Sequence, residues 1–191
     1  IKSIECAIVD NAWEKGLINP TKIKGAFVVE LEPHADERGF FSRAFCAKEF
    51  EAHGISNNMV QTNYCKSHDK GTLRGMHFQK NGHEETKLIR CVRGSVLDVV
   101  VDVRKDSETY CQWVSAELTA SNFKAMVVPE GCAHGYLTLE DDSDVIYQVS
   151  AFYSKENEDA VRWDDPAFGI EWPIENPILS GKDAIHPDFV K

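Results

Sequence analysis

The chain has 191 residues, 42% of them hydrophobic and 27% charged, proportions of a globular protein, with neither the polarity of a disordered chain nor an apolar run long enough for a membrane span. Its length suits one domain over residues 1–191 and is short for two. A formal charge of −10 argues against sequence-independent nucleic-acid binding, which needs clustered Lys and Arg against phosphates. It leaves room for a small anion held by local arginines such as Arg38, Arg74 and Arg90.

Residues 1–24 are mixed in character. Charges fall within the first five residues and no apolar stretch follows, so no secretory signal is visible. The first residue is Ile1, which leaves a trimmed start open. Ile23 to Leu31 begins a β-rich region that Pro33 closes. Asp36-Glu37-Arg38-Gly39 is turn chemistry, and Phe40-Phe41 continues it as a short aromatic strand. The one early helix is expected over Ala47–His53, stopped by Gly54.

From Asn58 onward strand follows strand, separated by turn residues at Asp69-Lys70-Gly71, Asn81-Gly82, Arg93-Gly94 and Asp141-Asp142-Ser143. That spacing favours a sandwich or barrel over βαβ units. Over Ser95–Val103, Leu97, Val99, Val101 and Val103 make one apolar face. Val96, Asp98, Val100 and Asp102 make the other, which suits either a polar cavity or a subunit contact. After Tyr153 the prolines and tryptophans of Arg162-Trp163-Asp164-Asp165-Pro166 and Ile170-Glu171-Trp172-Pro173 predict an ordered but irregular wrap. The six cysteines have no CxxC spacing and read as reduced, mostly buried thiols of a cytoplasmic protein.

Two stretches carry the chemistry: Gly71-Thr72-Leu73-Arg74-Gly75-Met76-His77-Phe78-Gln79 and Pro129-Glu130-Gly131-Cys132-Ala133-His134-Gly135-Tyr136. In an extended strand His77 shares a face with Leu73 and Gly75 while Arg74 points away with Met76 and Phe78, unless a bulge at Gly75 changes the alternation. Together the stretches resemble the paired motifs of cupin barrels. Metal-binding cupins usually carry His-x-His in the first motif, where this chain has Gln79. His77, Glu84 and His134 are the ligand set that would remain for a metal, and the expectation is that no metal is bound.

A more specific resemblance runs from Gly25 to Asp183. Arg38-Gly-Phe-Phe41, Gln61-x-Asn63, Leu73 to Gln79, Lys87-Leu-Ile-Arg90, Pro129 to Tyr136, Tyr147, Tyr153, Arg162 to Pro166 and Leu179-Ser-Gly-Lys-Asp183 resemble the dTDP-4-dehydrorhamnose 3,5-epimerase family. The resemblance implies an all-β cupin-type jelly-roll barrel, its core spanning roughly residues 25–153, that forms homodimers and epimerises a nucleotide-diphosphate sugar without a cofactor.

The chemistry of a 4-keto-6-deoxy sugar suits these residues. The carbonyl acidifies the hydrogens on C3 and C5, and inversion needs a base on one ring face and an acid on the other. The resemblance implies His77 as base, Tyr147 as acid, Asp183 as the carboxylate that orients the base, and Lys87 as the cation meeting the enolate oxygen. It implies Arg38 and Arg74 for the diphosphate, Gln61, Asn63 and His134 for sugar or phosphate contacts, and Phe41 and Tyr153 for the nucleobase.

Two positions depart from the family pattern. Arg43 stands where a base-reading Glu is usual, and its donors suit cytosine or guanine better than thymine, so CDP and GDP sugars stay open beside dTDP. Glu85 stands where Gln is frequent, adding a carboxylate beside Lys87. Two other readings remain on the same barrel: a metal-dependent cupin or 3,4-ketoisomerase, and a non-catalytic nucleotide-sugar-binding cupin.

Overall fold

The computed structural model describes residues 17–190. Cys6 and most of the mixed N-terminal stretch lie outside them. Two antiparallel sheets face one another. The first runs in the order β1 (Leu17–Pro20), β2 (Phe27–Glu30), β10 (Lys124–Val128), β7 (Lys87–Arg93), β12 (Ser143–Val149) and β5 (Gln61–Ser67). The second runs β13 (Glu158–Ala160), β6 (Leu73–Gln79), β11 (Cys132–Thr138), β8 (Ser95–Asp102) and β9 (Trp113–Thr119). A separate hairpin pairs β3 (His34–Asp36) with β4 (Gly39–Phe41). The strand spacing implies a sandwich or barrel, and the jelly-roll form of it is the one the family resemblance implies. β1, which pairs antiparallel with β2, falls in the stretch that carries no strand signal in the sequence.

Three apolar layers hold the sheets in place. Between them lie Ile89, Val96, Val100, Met126, Val128 and Val145. Outside the first sheet, α1 (Ala47–Ala52) seats Phe50 against Val29, Leu88 and Val127, and burying that one phenyl ring contributes about 2 kcal/mol. Gly54, at φ +68°, turns the chain away one residue beyond the helix cap. Outside the second sheet, the segment after Tyr153 covers Met76, Val99, Val101 and Ala133 with Val161, Phe168, Ile170 and Trp172.

β8 shows how alternation places the site. Its apolar face, Leu97, Val99 and Val101, is buried under the C-terminal wrap. The mixed face turns Val96 and Val100 into the space between the sheets, so Asp98 points inward at 0% exposure. The five described cysteines are all free thiols; Cys91 and Cys132 are buried, and Cys46, Cys65 and Cys111 are half-buried. Burial pushes the Cys91 and Cys132 thiols up to about 11 and about 12, respectively.

Candidate active site

A cavity of about 470 Å³ opens between the sheets, lined by Arg74, His77 and His134 from the second sheet and Cys65, Lys87 and Tyr147 from the first. A smaller one of about 120 Å³ adjoins it, sharing His77, Lys87 and Tyr147 and adding Gln61, Asn63, Glu85 and Tyr153. Ten residues singled out in the sequence, counting Asp183 and Glu85, thus line the two adjoining cavities.

β6 departs from simple alternation. Its pairing with β11 runs His77 to His134 and then Arg74 to Tyr136, three steps on one strand against two on the other. The extra residue is a bulge that brings Arg74 onto the cavity face with His77, while Met76 stays on the outer face. Gly75 permits it. At φ +144° a Cβ there would stand 2.5 Å from the Cα of Gly135, and one on Gly135 would stand 2.6 Å from Met76 Sδ. Both strands need glycine at this crossing.

His77 Nε2 lies 2.6 Å from Asp183 Oδ1. Burial works to raise the Asp183 carboxyl, but the hydrogen bond and charge of His77, helped by Ser180, hold it below the usual carboxylate range. An ionised carboxylate only accepts, so Nε2 carries the proton and Nδ1 keeps the lone pair. Asp183 is 106 positions from His77 and reaches it because the C-terminal segment folds back along β6. Ile178 exchanges hydrogen bonds with Gly71 (2.8 Å) and Leu73 (2.9 Å), and Ser180 Oγ accepts the Asp183 amide at 3.1 Å.

His134 is held the same way. Its Nε2 lies 2.9 Å from Oδ2 of the fully buried Asp98. Because His134 and His77 are direct register partners, the second sheet presents two carboxylate-held imidazoles side by side. The first sheet answers with Tyr147 on β12 and Lys87 on β7, in neighbouring strands. Burial, together with the nearby Cys65 and Glu85, pushes the Tyr147 phenol up to about 12 against an opposing pull from Arg74. Lys87 is buried; its Nζ makes an ion pair with Glu85 at 3.2 Å and donates to the His77 carbonyl at 3.4 Å. An ammonium has three donors, which leaves one free for a ligand.

The rim is polar. Tyr153 donates its hydroxyl to Glu158 at 2.9 Å, and Glu158 pairs with Lys182 at 2.6 Å. The Gln61 side chain accepts the Tyr153 amide at 2.8 Å. Arg74 donates to Ser67 Oγ and to the Lys66 carbonyl from a position that leaves it exposed.

Three expected ligand contacts are not gathered here. Arg38 sits in the β3–β4 turn, its side chain 82% exposed and paired with Asp36. Phe41 is 60% exposed on the same hairpin. Arg43 pairs with Glu49 at 3.8 Å. None of the three lines the cavity of its own chain; β3 and β4 hydrogen-bond only to each other, and Phe40 rests against Phe123 with ring centroids 4.9 Å apart. Arg90 is likewise not an anion site; it is largely buried, donating to the carbonyls of Ala44 and Phe123, and burial lowers it to about 10. Glu84 does not join His77 and His134 in a donor cluster, and Asp98 already occupies the His134 nitrogen.

The sequence reading missed Asp98, Glu158 and Lys182. Asp98 had a signal, a lone carboxylate in an otherwise apolar strand. The others lie after Tyr153, Glu158 on the three-residue strand β13 and Lys182 in irregular chain, where no periodicity marks a direction.

A family model described as dTDP-4-dehydrorhamnose 3,5-epimerase matches residues 20–191. The dTDP-4-dehydrorhamnose 3,5-epimerase of Shigella flexneri is 44% identical over 171 residues, covering 89% of this chain and 94% of that protein. The crystal structure of the Bacillus anthracis dTDP-4-dehydrorhamnose 3,5-epimerase with TDP and pyrophosphate bound superposes with a TM-score of 0.87 at 41% identity, covering 90% of this chain and 98% of that one. A Legionella pneumophila dTDP-6-deoxy-D-glucose-3,5-epimerase in complex with dTDP-4-keto-L-rhamnose gives 0.82 at 38% identity, covering 87% and 89%.

Proposed function

Since the chain belongs to the dTDP-4-dehydrorhamnose 3,5-epimerase family, we propose that it inverts C3, C5 or both of a dTDP-linked 4-keto-6-deoxy sugar through an enolate. One observation carries this reading: a carboxylate-held imidazole and a protonated phenol face one cavity from opposite sheets. Inversion at carbon requires that arrangement, because the proton leaves from one ring face and returns to the other.

His77 Nδ1 takes the proton α to the carbonyl. Asp183 keeps the ring proton on Nε2 and balances the imidazolium that forms, as the carboxylate does in other His–Asp pairs. Negative charge moves to the C4 oxygen, where the remaining donor of Lys87 meets it. Glu85 holds that ammonium in place without occupying all three of its protons. Tyr147 then delivers its proton to the opposite face, and its upshifted phenol guarantees that the proton is there at neutral pH.

Arg74 at the cavity edge suits a diphosphate by bidentate guanidinium contacts. His134, held by Asp98, suits a sugar hydroxyl or a share of the enolate charge, and Gln61 and Asn63 supply neutral hydrogen bonds. Tyr153 offers a face for the base. The B. anthracis relative holds TDP, and Arg43 is engaged by Glu49 outside the cavity, so thymidine diphosphate is the carrier this reading adopts. Roles for Arg38 and Phe41 then require the hairpin of a second copy, consistent with a homodimer; Phe40 and Phe41 are both more than half exposed on that arm. The reaction is assigned to the cytoplasm, where nucleotide-activated sugars are made. No helix among the described residues is long and apolar enough to cross a membrane.

The test is proton NMR in D2O with dTDP-4-keto-6-deoxyglucose. Loss of the C3 or C5 signal with inversion supports the reading. Absence of exchange at protein concentrations equal to substrate removes it and favours the non-catalytic binding protein.

A further inference from the structure

His186 takes no part in the chemistry above, yet it stands beside it. It lies one residue beyond the short 3-10 turn Asp183–Ile185, with Pro187 after it fixing the backbone. Its side chain is 13% exposed, and its Nε2 is buried with no hydrogen-bond partner. That nitrogen points to the carboxylate serving His77, at 3.6 Å from Asp183 Oδ1. An unpaired buried imidazole nitrogen is costly to leave unsatisfied. Asp183 Oδ1 also accepts from His77 at 2.6 Å, so three donor atoms converge, all within 4.8 Å of one another.

Two imidazoles and one carboxylate are a donor set for zinc and its neighbours in the first transition row. Bonds of about 2.0–2.1 Å in a tetrahedron place neighbouring donors about 3.3 Å apart. The 2.6 and 3.6 Å separations bracket that value, and the two imidazoles offer ligand nitrogens within 4.8 Å of one another. His77 faces the cavity, so a fourth position would be open to it, as in zinc sites with three protein ligands.

We propose that His77 Nε2, Asp183 and His186 Nε2 form an inhibitory transition-metal site, occupied by Zn²⁺ or a similar ion. The inhibition, though not the binding, rests on the epimerase reading. A neutral imidazole has one proton. A metal on Nε2 confines it to Nδ1, the nitrogen that must accept the substrate's proton, and the base is blocked without any residue leaving its place. The metal also takes the carboxylate that would have balanced the imidazolium. Lys182, next to Asp183 in the chain, is paired with Glu158 at 2.6 Å, and Lys87 with Glu85 at 3.2 Å, so neither ammonium repels the ion at full charge.

The test uses the full chain, stripped with chelator and exchanged into chelator-free buffer. Titration with Co²⁺ is followed by the intense ligand-field absorption of four-coordinate cobalt, then by displacement with Zn²⁺. The expected result is one ion per chain, with affinity lowered about 100-fold or more in His186→Ala and in the bulkier His186→Gln. Thermal melts check that both variants are folded. Metal-free deuterium exchange on the sugar stays at the wild-type rate in both, while Zn²⁺ slows the wild type alone and chelator restores it. Absent cobalt absorption, or equal affinity in wild type and either folded variant, overturns the proposal. If no sugar exchanges at all, the epimerase reading falls and the cobalt titration still decides the metal site.

Discussion

Tyr147→Phe separates the two halves of the reaction. The substitution removes one oxygen from a half-buried ring whose carbon skeleton packs against the barrel interior, so the fold should lose only about 1 kcal/mol. With the phenol pushed up to about 12, chiefly by burial, the wild-type group is a proton donor through the whole assay range. No alkaline fall in kcat/KM below pH 10 should arise from it. Loss of a general acid lowers the inverting step about 10²–10⁴-fold, or about 3–5 kcal/mol of barrier. On the proposed reaction His77, Asp183 and Lys87 are untouched and should still form the enolate, which His77 would quench with solvent deuterium on the face it came from. The variant should therefore incorporate deuterium at C3 or C5 with retained configuration, read as signal loss without new coupling constants in the NMR spectrum. Inversion within tenfold of wild type would refute the assignment of Tyr147 and place the acid elsewhere in the cavity.

Asp183→Asn leaves a side chain of equal size that no longer imposes the tautomer; deuterium exchange should fall by about 10³–10⁴-fold, with nucleotide binding by calorimetry little changed. The same variant reports on stability. The Asp183 carboxyl is held below its ordinary 3.8, so its contribution is present above that pH and is lost as pH falls through the lower folded value. The urea-denaturation difference between wild type and variant should accordingly be constant from pH 7 to 5 and shrink below about pH 4. Glu85→Gln removes the counter-charge from Lys87 while keeping an acceptor; we expect a loss of about 1–3 kcal/mol in urea and a folded protein. Gly75→Ala puts a Cβ 2.5 Å from the Gly135 backbone at φ +144°; about 3 kcal/mol or more should go, visible as a large drop in the thermal midpoint.

The strands from Asn58 onward were legible because alternation and turn residues are local signals. Gly71, Asn81, Gly82, Gly94 and Asp142 all take the positive φ that turn chemistry predicts. Even the direction of Asp98 was implicit in the alternation of β8, although only the opposing sheet could show that a cavity was there. The Arg74 side was not legible by counting, since a bulge reverses faces and depends on Gly135 in another strand. β1 was illegible because Leu17-Ile18-Asn19-Pro20 has no alternation of its own and exists as a strand by pairing with β2. Arg38 and Phe41 matched the pattern of a site that their own chain does not bring them to.

The C-terminal wrap could be read only as ordered, yet it supplies Asp183, Glu158 and Lys182 to the cavity. Its hold on the barrel is both apolar and polar. Phe168 and Trp172 cover the outer face of the second sheet, while Ile178 is bonded to Gly71 and Leu73 on the strand that bears His77. His77 and Asp183 are therefore joined through one short stretch of backbone, and a shift of the wrap would move Asp183 relative to His77 before it moved either sheet. On the proposed reaction, substitutions far from the sugar, at Phe168 or Trp172, should therefore lower proton transfer as well as stability. A barrel alone would place His77, Tyr147 and Lys87 around a cavity. The wrap gives His77 its carboxylate, and with it the tautomer in which Nδ1 is free.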